Sequence, residues 1–166
     1  MKQEEKQLLL QDLCARLLHG VKVWYKYYSE NVTEKFATSI RLVGEKIALS
    51  SNFNREGSWY PIEETNELLI KPYLRPMSSM THEEAKEVSI LYGIKDILST
   101  KITDEYIEVV VDDGVCSTET RTIWYDEIIS SIEIFDWLNT HHFDYRGLIE
   151  KGLAIEVTKE NNPYEK

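Results

Sequence analysis

Glu105-Tyr-Ile-Glu-Val-Val-Val111, followed by Asp112-Asp113-Gly114, is the stretch that decides the fold class. Four β-branched residues and a tyrosine in seven positions favour extended backbone. Asp-Gly is hairpin turn chemistry, because it tolerates the positive φ that tight turns require. The return strand is expected over residues 120–128, which include Ile123, Trp124 and Tyr125. Residues 115–119 lie between the two and predict a bulge or a longer loop.

Upstream of this hairpin the pattern is mixed. Leu8, Leu9, Leu13, Ala15 and Leu17 recur near helical spacing and predict a helix over residues 3–18, with Cys14 on its apolar face and Gly20 as its stop. Three strands are expected next. The first is Val21-Lys-Val-Trp-Tyr-Lys-Tyr-Tyr28, and after a turn at residues 29–32 come residues 35–43 and 46–50. Residues 52–58 read as a loop, and a short helix is expected within 62–74, limited by Pro72 and Pro76. Thr81-His-Glu-Glu84 is a capping box and opens a second helix that Gly93 ends near Tyr92. Residues 94–98 fit helix or strand equally.

Downstream, Ile132, Ile134, Phe135, Trp137 and Leu138 predict a helix ending near His141. A short helix over 145–151, capped by Asp144 and closed by Gly152, and a last strand over 154–157 complete the chain. The whole predicts an α+β fold of small antiparallel sheets with an N-terminal, a middle and a C-terminal helical segment. Residues 1–157 are expected to form a single domain, and the polar residues 158–166 to fray.

Composition narrows the function. The 166 residues carry a net charge of −10. Ten acids against Lys101 and Arg121 fall between Lys101 and Asp136. Phosphate binding rests on Lys and Arg, so general nucleic-acid binding is not expected. No apolar run approaches the roughly 20 residues of a membrane helix, and the N-terminus is too polar for a signal peptide. A cytoplasmic protein without membrane attachment is expected. Cys14 and Cys116 stand alone and read as reduced thiols.

Each group of residues that could serve catalysis has a plainer account. His141-His142 are adjacent and point about 100° apart on a helix, a spacing that rarely lets two histidines share one metal. A helix cap and a packed ring account for them. No serine lies in a nucleophile motif, and no glycine-rich phosphate loop occurs. Asp112-Asp113 is explained by a turn and Asp126-Glu127 by a solvated face. No cofactor and no metal site is therefore expected.

Two constellations point to binding. Trp24, Tyr25, Tyr27, Trp59 and Tyr60, with Arg41, Arg75, His141 and Arg146, could stack a base and hold phosphate. Packing against the first helix or a second subunit, in a homo-oligomer, is the alternative. The acidic stretch 101–136 could imitate DNA and occupy a basic cleft; a charged solubilising surface is the alternative.

Three stretches carry a resemblance: Leu13-Cys-Ala-Arg-Leu-Leu-His-Gly-Val-Lys-Val23, Ile70-Lys-Pro-Tyr-Leu-Arg-Pro-Met-Ser-Ser-Met-Thr81, and Phe135-Asp-Trp-Leu-Asn-Thr-His-His-Phe-Asp-Tyr-Arg-Gly-Leu-Ile-Glu-Lys-Gly-Leu-Ala154. With them the chain resembles a family of uncharacterised phage, prophage and mobile-element proteins of gut bacteria. The resemblance implies a small accessory protein in a bacterial host cytoplasm. Its expected role is noncatalytic binding that neutralises a host defence protein or a nucleotide immune signal. A DNA mimic bound to a basic cleft of a host protein is the alternative, and a hydrolase with an unrecognised site is a third.

Overall fold

The computed structural model describes residues 2–27, 30–43, 46–51, 59–61, 63–64, 67–115 and 117–165. The fold is α+β, and the chain divides into two compact units. One comprises Met1–Arg75 with Arg146–Lys166, the other Pro76–Tyr145.

The first unit opens with α1 (Gln3–Arg16), which a 3-10 turn at Leu17–His19 extends. The Glu5 carboxylate accepts from the Lys2 backbone amide at 2.8 Å, which closes the first turn. Gly20, at φ 68°, ends the helix as expected. The buried side of α1 is Leu9, Asp12, Leu13 and Arg16, spaced as one helical face. Cys14 is exposed, not on that face.

Strands β1 (Lys22–Tyr27), β2 (Glu30–Val43), β3 (Lys46–Ser51) and β4 (Trp59–Pro61) form an antiparallel meander. β2 already begins at Glu30, so residues 30–32 of the expected turn are strand. The expected loop 52–58 lies outside the described residues.

The short helix expected within 62–74 is not formed. The described residues there are β5 (Glu63–Glu64) paired with β6 (Glu67–Leu68), then β7 (Ile70–Leu74). The reason is local. Pro72 lacks the amide a helix needs, and Ile70, Pro72, Tyr73 and Leu74 are all buried, as in a strand covered on both faces. β7 pairs antiparallel with β1, and β11 (Ile155–Glu156) adds in parallel on its other side. The sheet order is β11-β7-β1-β2-β3-β4. Leu9 and Leu13 pack with Val21, Val23 and Ile70, while Leu8 joins Leu74, Leu148, Leu153 and Ala154.

The helix expected over 145–151 is replaced by turns, because Gly147 adopts φ 66° and interrupts any helical run. Within residues 158–165, Tyr164 is tied to the sheet by its hydroxyl. Tyr164 donates to the Tyr73 carbonyl at 2.8 Å and accepts from the Lys22 amide at 3.2 Å.

The second unit holds α2 (His82–Leu91), β8 (Ile97–Ile102), β9 (Tyr106–Asp112), β10 (Thr118–Trp124) and α3 (Ile132–Thr140). Thr81 Oγ1 accepts from the Glu84 amide at 3.2 Å and the Glu84 carboxylate accepts from the Thr81 amide at 2.8 Å, so the capping box forms as expected. Residues 97–98, ambiguous in sequence, start β8. The three strands form an antiparallel sheet in the order β10-β9-β8. Ile107, Val109, Val111 and Ile123 face Ala85, Val88, Ile134, Leu138 and Phe143 in one core.

Candidate functional site

In the first unit the buried face of α1 carries a charged cluster. Arg16 Nε donates to Asp12 Oδ2 at 2.8 Å, and a second guanidinium nitrogen donates to Oδ1 at 3.0 Å. Both side chains are fully buried. Arg146 Nε approaches the same carboxylate at 3.6 Å. One carboxylate thus faces two guanidinium groups. Arg146, expected to hold phosphate, is directed to Asp12. Burial pushes the nearby Tyr164 hydroxyl above its ordinary range. The side-chain nitrogen of Lys22 donates to the Pro163 carbonyl, and it lies 5.9 Å from the centre of the Tyr164 ring.

The sheet of this unit gathers most of the expected aromatic and basic set. Trp24, Tyr25 and Tyr27 lie on β1, Arg41 on β2, and Trp59 and Tyr60 on β4. Trp24 is half-buried, as is Arg75 just after β7. The side chains of Tyr25, Tyr27, Arg41, Trp59 and Tyr60 lie outside the described residues. β2 and β3 separate β1 from β4. At the usual strand spacing of about 4.8 Å, the two aromatic strands are roughly 14 Å apart across the sheet.

In the second unit, His141 follows α3 as its cap. Its ring stacks on Trp137, with centroids 4.1 Å apart, and Phe143 stacks on Trp137 at 5.7 Å. His141 Nδ1 is 2.8 Å from the Trp137 carbonyl oxygen. A carbonyl only accepts, so Nδ1 carries the proton and Nε2 is the acceptor of the neutral ring. Trp137 Nε1 donates to Glu87 at 3.3 Å, tying α3 to α2. His142 is buried at φ 59°. Among the described residues no group of three or more His, Cys, Asp and Glu is placed to hold a metal ion.

Charge separates between the units. Pro76–Tyr145 carries fifteen acids and four Lys or Arg, a net −11, while the rest of the chain has fourteen acids and fifteen Lys or Arg. In the hairpin turn, Asp113 Oδ1 accepts from the amides of Val115 at 2.9 Å and Ser117 at 3.0 Å, and its other oxygen accepts from the Ser117 hydroxyl. The Ser117 hydroxyl first, then these amides, holds the Asp113 carboxyl below its usual range. An open groove of about 400 Å³ runs between α2 and β8, lined by His82, Glu83, Lys86 and residues 97–100.

The sequence did not single out the pair Tyr106 and Trp124, whose rings meet edge to face at 4.9 Å on the sheet face away from the core. The signal was available: Trp124 continues the alternation Thr118, Thr120, Thr122. Nor did it single out Asp12 and Arg16, which stand four residues apart on a predicted helix.

The fold defines an α+β chain with one strongly acidic unit. No protein-family model, curated protein or solved structure matches it. Among the described residues, no helix is long and apolar enough to cross a membrane.

Proposed function

We propose that this chain is a noncatalytic binding protein whose acidic unit occupies a basic surface on a protein partner, as duplex DNA would. The observation that carries this reading is the confinement of the net −11 to Pro76–Tyr145. A surface of one sign steers an oppositely charged partner and selects against others. The resemblance to phage and prophage proteins supports a defence protein of the bacterial host as that partner, and neutralisation as the outcome. The test is capture of nucleic-acid-binding proteins from a bacterial host. Duplex DNA is expected to displace the captured protein, and added salt to weaken capture steeply. Capture that is indifferent to both overturns the reading.

A second reading is capture of a nucleotide immune signal. It is favoured by the gathering of Trp24, Tyr25, Arg41, Trp59 and Tyr60 on one sheet. It draws less support from Arg146, whose guanidinium already faces Asp12, and from His141, whose ring is stacked on Trp137. Titration calorimetry with cyclic and linear nucleotides tests it, and the absence of heat with all of them removes it.

A further inference from the structure

We infer that the outer face of the three-stranded sheet is the docking surface for an arginine-rich segment of a protein partner, with Trp124 and Tyr106 as its anchor. The inference rests on the proposed binding of a basic partner and says where that partner sits. The register places Thr118, Thr120, Thr122 and Trp124 opposite Asp112, Val110, Glu108 and Tyr106 on one face. Ile107, Val109 and Val111 face the other way, into the core. Trp124 is 43% exposed, and neither it nor Tyr106 belongs to the core cluster.

Charge identifies the occupant. The turn before β9 carries Asp104 and Glu105, and the turn after β10 carries Asp126 and Glu127; all four are exposed. The Tyr125 amide donates to the Glu105 carbonyl at 3.0 Å, which holds these two turns together at the Trp124 end of the sheet. Among the described residues no Lys or Arg forms an ion pair with any of the four. An exposed tryptophan at the end of the sheet whose turns carry unpaired carboxylates suits a guanidinium group. Its flat face stacks on the indole and its edge hydrogen-bonds carboxylate. Lysine is more strongly hydrated and stacks less well. Tryptophan and tyrosine are also the residues that most often dominate binding energy at interfaces.

The test uses the full chain and a short oligo-arginine peptide, with an oligo-lysine peptide of the same length for comparison. Nuclear magnetic resonance follows the indole N–H signals, and calorimetry gives affinity. The expected result is a shift of the Trp124 indole signal and several-fold tighter binding of the arginine peptide. Trp124→Ala should weaken it by roughly tenfold. Thr122→Lys, at an exposed position on the same face, should also weaken it and guards against a folding defect in the first variant. If binding survives both variants but is lost in Glu133→Lys/Asp136→Lys on α3, the docking face is wrong while the acidic-unit reading stands. If the unmodified chain binds neither peptide at low salt, both fall.

Discussion

Arg16 grips Asp12 one helical turn earlier through two hydrogen bonds, at 2.8 and 3.0 Å, with both side chains withdrawn from water. Breaking such a pair leaves a buried charge without its counter-charge, which is worse than having neither. Asp12→Ala should therefore destabilise the protein by about 3–5 kcal/mol in urea unfolding. The double replacement Asp12→Leu/Arg16→Met should recover part of that loss, because it removes the buried Arg16 charge together with its partner, while Arg146 still lacks the Asp12 carboxylate. A double variant as unstable as the single one would show that the ion pair itself, not the avoidance of an orphan charge, holds α1 in place.

Tyr164 makes stability depend on alkaline pH. Its hydroxyl titrates above its ordinary value because it is buried. In the unfolded chain it would release its proton near pH ~10. Below that pH both states are protonated and the full contribution is present. Above it the unfolded chain loses a proton that the folded chain keeps, so stability falls as pH rises toward the folded value. Tyr125, pushed up to about 12 by burial and by Asp104, acts in the same direction. Urea midpoints measured from about pH 8 to pH 11 should decline, and Tyr164→Phe should flatten part of that decline. The same variant should lose about 1–3 kcal/mol at neutral pH, since the Tyr73 carbonyl and the Lys22 amide lose their shared partner.

Thr81 caps α2 through its hydroxyl. Thr81→Ala should lower stability by about 1 kcal/mol, and Thr81→Ser should restore it. Thermal denaturation of the three proteins decides the matter.

Among the described residues, the buried core of the second unit draws only on those between Met77 and Phe143. The fragment Pro76–Tyr145 should therefore fold alone, though near the size where isolated domains become marginal. Cooperative melting by circular dichroism is the expected result. A noncooperative, featureless trace would mean that the two units form one folding domain.

Much of this fold could be read from local patterns. Helices α1, α2 and α3 followed from apolar periodicity and capping residues, and the hairpin from Asp112-Asp113-Gly114. The failures share a cause. Residues 70–74 are strand because β1 and β11 flank them, and no local signal reports neighbours from residues 22–27 and 155–156. Residues 145–151 look helical until Gly147 takes a positive φ. At the candidate site the acidity of residues 101–136 was visible directly from composition. The pairing of Tyr106 with Trp124 depended on strand register, which the loop at 115–119 left open. The approach of Arg146 to Asp12 spans most of the chain, and charge alone does not reveal such a partner.

The parallel pairing of β11 with β7 has a temporal consequence. During synthesis α1 and strands β1 to β7 emerge before the acidic segment, yet Ile155, Glu156 and Tyr164, which complete their packing, emerge after it. The acidic segment between them is finished earlier and can condense while its flanking segments wait. A nascent chain stalled after Tyr145 would thus carry a finished acidic unit while the sheet of the first unit still lacked its parallel edge strand.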